Sequence, residues 1–289
     1  MHGAASFGVV LLCFFLSGAA GLIYQTVWTR EFAFVFGTSS LAVSTVLAAY
    51  MAGLAAGAGL AARWLDRIRR PVLAYGLLEL GIGLCALGVP LAIAGSRWLY
   101  VAWFGGQADL PGAGGTGATL FHLGSSFLIL MIPTAMMGAT LPLLVRDAVR
   151  REEEIGRRIG ILYGANTAGA VLGTLVAAFL LLPNLGLRPT VWVGVGLNGA
   201  VFVGAWWLSR SRAPLAPETA SPTQASLGQR WILPLIGVSG IASFAYEVLW
   251  VRLLEHVLGG SVYAFATMLA SFLTGIALGS AGASLLATT

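Results

Sequence analysis

Chemistry in this sequence has to come from a few ionisable and aromatic side chains set into apolar runs. Glu79 lies inside LAYGLLELGIGL and Glu247 inside SFAYEVLWVR. A charge in the hydrocarbon of a bilayer costs on the order of several kcal/mol and persists only with a partner or a water-filled cavity. Both carboxylates are therefore candidates for substrate contact. Glu79 stands about two turns from the Arg-rich end of its run, so snorkelling or pairing with an arginine is an equally good account. Tyr24 and Trp28 are four residues apart, as are Tyr246 and Trp250, and an arginine, Arg30 or Arg252, follows each pair two residues later. That spacing stacks each pair on one helix face. One reading is an aromatic belt with an arginine at the outer interface. The other is a pair of aromatic walls near carboxylates, suited to a cationic amine through cation–π contact. The arginines oppose the second reading unless they pair with Glu31 and Glu255.

No catalytic constellation stands beside these residues. His2, His122 and His256 are scattered along the chain, and Cys13 and Cys85 lie inside apolar runs, where they read as small core residues. No metal site or cofactor is expected. The string Gly112-Ala113-Gly114-Gly115-Thr116-Gly117 satisfies G-x-G-x-x-G. That pattern signals dinucleotide binding only between a strand and a helix of a βαβ unit, whereas here it falls in a loop between two apolar runs.

The elements that position these residues are membrane helices. The chain is 58% hydrophobic and 9% charged, with a mean hydropathy of +0.87. A soluble globular domain carries about 25% charged residues, so an all-α polytopic membrane protein in contact with lipid is expected. Runs of about 20 apolar residues suffice to cross, and eight occur, near 6–28, 39–62, 72–95, 120–145, 159–182, 190–209, 231–250 and 262–287. The formal charge of +5 comes from arginines that follow the loops, not a nucleic-acid groove. Arg63, Arg67, Arg69, Arg70, Arg146, Arg150, Arg151, Arg157, Arg158, Arg210, Arg212 and Arg230 fall in alternate loops, against Arg30, Arg97, Arg188 and Arg252 in the others. The positive-inside rule then puts both termini in the cytoplasm, in the inner membrane of a cell.

The stretch 17–61 returns without a gap at 239–283, and the identities include Tyr24/Tyr246, Trp28/Trp250 and Arg30/Arg252. This internal repeat encloses six spans, so both copies face the same way, as in the parallel six-helix halves of major-facilitator proteins. The expected organisation is a six-helix bundle over 1–210, a Pro/Ala/Ser/Thr-rich cytoplasmic linker over 211–230, and over 231–289 the first two helices of a second repeat. Four more spans would complete that repeat, which points to a fragment of a longer protein. Small residues four apart, Gly53 and Gly57 matched by Gly275 and Gly279, let backbones approach closely. Asn166, Gly169 and Gly173 repeat this on the fifth span, with Asn166 as an interhelical hydrogen-bonding residue. Pro133 and Pro142 kink the fourth.

Five motifs in order, S-G-x-x-x-x-x-Y-[QE]-x-x-W-x-R, G-[LI]-A-x-G, R-R-P-V-L-A-Y-G-L-L-E, P-T-A-M-M-G-A-T-L-P and Y-G-A-N-T-A-G-A-V-L-G-T, together resemble the membrane region of fused facilitator/spermidine-synthase proteins. The resemblance implies a membrane domain joined to a polyamine aminopropyltransferase-like domain. Nothing in this chain corresponds to that catalytic part, so the chain by itself is expected to be non-catalytic. Three functions follow as alternatives. It transports or senses a small amine or related metabolite, it anchors an aminopropyltransferase, or it is a facilitator-type transporter unrelated to polyamines.

Overall fold

A computed structural model describes residues 2–36, 39–104, 115–148, 155–212, 214, 227–258 and 261–286. Every regular element among them is helical. The long helices are α1 (His2–Phe36), α2 (Ser39–Trp64), α3 (Pro71–Phe104), α4 (Gly115–Ala148), α5 (Ile155–Val176), α6 (Leu187–Arg210), α7 (Leu227–Leu258) and α8 (Ser261–Leu286). All eight are long and apolar enough to cross a membrane. Several outrun the hydropathy signal. Helix α1 has 35 residues, about 50 Å at 1.5 Å per residue, where the hydrocarbon is only about 30 Å thick. It therefore carries Arg30 and Glu31 within the helix, not in a loop after residue 28. Helix α7 begins inside the expected linker, and residues 213 and 215–226 of that linker lie outside the described residues, as do Gly112 to Gly114 of the glycine string. Gly115 opens α4, and among the described residues the element before it is the helix α3.

Below α5 the chain continues as a π-helical segment, Ala177–Leu181, and a short turn, Leu182–Leu185. Pro183 explains the change of pitch. It has no N–H to give to the carbonyl four residues back, and its ring crowds that carbonyl, so the preceding turn widens. Gly186, at φ 81°, then makes the reversal into α6, a left-handed conformation that other residues adopt at a cost.

Helix α1 packs along α5, α6 and α2, while α2 runs along α4 and α3 lies against α4 and α6. Two apolar clusters fill this six-helix bundle. One centres on Trp28, Phe32, Ile82 and Leu130, the other on Phe14, Leu144, Leu162 and Val201. A third joins Leu22, Leu47 and Ala170 of the bundle to Val251, Phe265 and Leu269, so α7 and α8 dock onto α1, α2 and α5. Among the described residues α7 keeps most of its surface outside the protein, including Ile241, Leu249 and Leu253.

Small residues set the closest approaches. A Cβ on Gly57 would collide with the Ala135 backbone, and one on Gly138 with the Leu54 backbone, so α2 and α4 meet main chain to main chain. Gly53 faces Thr134, while Gly169 and Gly173 press on Phe15 and Ala19 of α1. Gly275 and Gly279 correct the expectation of a matching contact in the second copy. A Cβ on either would meet nothing within 4 Å, because no described helix covers that face of α8. At the Arg-rich end, Arg212 forms an ion pair with Asp147 and a hydrogen bond to Ser6, and Arg146 donates to the Asp66 carbonyl at 3.2 Å. These contacts tie α1, α4, the α2–α3 connection and the end of α6 together.

Candidate functional site

Glu79 is fully buried on α3, so it does not snorkel, and among the described residues no arginine pairs with it. Neutral donors hold it instead. Ser17 Oγ donates to Oε1 at 2.5 Å, and Asn198 Nδ2 on α6 donates to Oε2 at 2.6 Å. The Asn198 Oδ1 accepts from Tyr24 Oη at 2.5 Å. Tyr75, four residues earlier on α3, sets its hydroxyl beside the same carboxylate. The network links α1, α3 and α6 through the middle of the bundle, which is how a polar group in hydrocarbon is satisfied.

Tyr24 and Trp28 belong to this interior. Both are fully buried, stacked with ring centres 5.5 Å apart and planes 14° apart. Gly194 of α6 provides the space, since a Cβ there would come within 2.5 Å of the Tyr24 ring. An outer-interface belt is therefore the wrong account of the first copy. In the second copy Tyr246 and Trp250 are 62% and 54% exposed, and Arg252, like Arg30, is exposed. Two aromatic pairs facing one ligand are thus not what the fold assembles. α3 and α6 cover the first pair, and no described helix covers the second.

What the fold does assemble is a cavity of about 820 Å³ between the six-helix bundle and the α7–α8 pair. Its wall is mostly apolar, with Leu22, Phe244 and Leu269 among its residues. Two polar groups in that wall have atoms with no hydrogen-bond partner, Gln25 Nε2 and Glu247 Oε1. The two residues are 1% and 2% exposed, so water does not satisfy these atoms, and each side chain has to turn to meet a group in the cavity. Asn166 also borders the cavity, and its backbone carbonyl presses on Gly18. Ser17 borders the cavity too while donating to Glu79, so the buried network and the cavity share one residue.

Of the eight expected contact residues, then, only Glu247 lies in the cavity wall. Glu79, Tyr24 and Trp28 lie behind it, and Arg30, Tyr246, Trp250 and Arg252 face outward. Gln25, Ser17 and Asn198 escape a search for charge, although Gln25 is the counterpart of Glu247 in the repeat and was legible there.

A polytopic helical bundle with a second helix pair packed beside a cavity is similar to the plan of membrane transporters built from helical repeats. Residues 7–288 match the Major Facilitator Superfamily, and the chain belongs to that family. Its fold is similar to the crystal structure of the POT family transporter PepTSo, with a TM-score of 0.50 and 14% identity over 94% of this chain and 52% of that one. The chain is also 30% identical over 187 residues to a polyamine aminopropyltransferase of Mycobacterium tuberculosis, covering 62% of this chain and 31% of that protein. It is 28% identical over 189 residues to polyamine aminopropyltransferase 1 of Streptomyces coelicolor, covering 65% and 32%. The chain spans about a third of the length of these curated relatives.

Proposed function

We propose that this multi-pass membrane protein carries a small amine through the central cavity, with Glu247 as the carboxylate that holds the ammonium. The observation behind this reading is the unpaired, buried Glu247 oxygen in the cavity wall. Left alone in apolar surroundings a carboxylate is costly, and an ammonium with directed N–H bonds offsets that cost. A volume of about 820 Å³ is of the size that encloses a small organic ligand. The arginine distribution supports cytoplasmic termini, with the cavity open to alternate sides as the bundle and the α7–α8 pair rock against each other.

Equilibrium binding of radiolabelled propanolamine to the protein in lipid nanodiscs tests the reading. Glu247→Gln keeps the shape and removes the charge. Loss of one partner of a buried charged pair costs about 2–5 kcal/mol, so binding should weaken at least 30-fold or so. Unchanged affinity would remove Glu247 from the site.

The likeness to two polyamine aminopropyltransferases favours a second reading, in which the helices anchor such an enzyme. It predicts aminopropyl transfer only when a soluble transferase domain is present, whatever the state of Glu247.

A further inference from the structure

Positions 25 and 247 are equivalent in the internal repeat, yet one holds Gln and the other Glu, side chains of nearly the same shape and different charge. Both border the cavity, both are almost wholly buried, and each has one atom without a partner, which a small turn of the side chain would bring to the cavity. We infer that the cavity selects a monocationic amine carrying a hydrogen-bond acceptor at its other end, and discriminates against diamines and longer polyamines. The inference rests on the amine reading above and narrows its substrate class.

Charge counting carries the argument. Glu247 is the one ionisable acid or base among the described residues of the cavity wall, apart from the tyrosine hydroxyls of Tyr50 and Tyr163. Glu79 does not add a second anion to the wall, because it is fully buried behind Ser17 and its two oxygens accept from Ser17 and Asn198. One ammonium can therefore be neutralised in the cavity. A second would sit in apolar surroundings without a carboxylate, where an uncompensated charge is expensive. Gln25 sharpens the choice, because the atom it leaves unpaired is a donor. Its N–H groups meet a hydroxyl, ether or carbonyl oxygen favourably and oppose the N–H groups of another ammonium. A ligand with an acceptor satisfies that donor, and one without leaves it orphaned.

The experiment compares propanolamine, propylamine and putrescine, each radiolabelled, for binding to the protein in lipid nanodiscs. The wild type should bind propanolamine at least about tenfold more tightly than either of the others, a discrimination of about 1.4 kcal/mol. Gln25→Glu supplies the second carboxylate and should reverse the order, with putrescine at least about tenfold tighter than in the wild type. Gln25→Leu, which adds no charge to the bundle, should equalise propanolamine and propylamine, so the inference remains testable if Gln25→Glu fails to fold. Putrescine binding to the wild type as tightly as propanolamine would overturn the inference and leave the amine reading standing. Binding of none of the three would overturn both.

Discussion

Asn198 is the joint of the buried network, and its removal has a calculable effect. Its amide accepts from Tyr24 at 2.5 Å and donates to Glu79 at 2.6 Å, with 2% of the residue exposed. Asn198→Leu deletes both bonds. Interhelical hydrogen bonds in membranes average about 0.6 kcal/mol each, whereas a bond to a charged group contributes about 1.5–3 kcal/mol. With the Tyr24 bond in the first class and the Glu79 bond in the second, the substitution should destabilise the protein by about 2–4 kcal/mol. Reversible unfolding by SDS in mixed micelles measures this. The double variant Asn198→Leu/Glu79→Met removes the carboxylate that Asn198→Leu strands, so its cost should fall short of the two single costs added together by about 1.5–3 kcal/mol. A cost below about 1 kcal/mol for Asn198→Leu, or strict additivity in the double variant, would refute the view that Glu79 depends on these neutral donors.

Packing and repeat asymmetry give further expectations. Gly57→Leu drives a side chain into the Ala135 backbone and should cost more than about 2 kcal/mol, while Gly275→Leu, with nothing within 4 Å, should stay within about 0.5 kcal/mol of the wild type in the same unfolding assay. Tyr24→Phe leaves Asn198 Oδ1 unpaired and should destabilise by about 1 kcal/mol, whereas Tyr246→Phe at the equivalent exposed position should be silent. Equal effects of the two tyrosine substitutions would contradict the burial of one copy and the exposure of the other.

The eight membrane helices were legible because hydrocarbon demands long apolar runs, and the parallel repeat was legible from Tyr, Trp and Arg at matched positions. The helix ends were not. Hydropathy marks where the lipid stops, while α1 continues through Arg30 and Glu31 because backbone hydrogen bonding does not stop there. Burial of the aromatic pairs could not be read either. Tyr24 and Tyr246 have the same local pattern, and their opposite fates depend on α3 and α6, which lie far away in sequence. Glu79 stood out as a charge in an apolar run, but its donors Ser17 and Asn198 are ordinary polar residues 62 and 119 positions distant. Gln25 was the readable signal left unused. A neutral side chain draws no notice alone, yet its alignment with Glu247 marks both walls of the cavity.

Counterflow in proteoliposomes loaded with unlabelled propanolamine puts the central claim to its most direct test. The account predicts that the wild-type protein accumulates external radiolabelled propanolamine transiently and that Glu247→Gln, folded to the same extent by its unfolding curve, does not. Equal counterflow by the two proteins would contradict it.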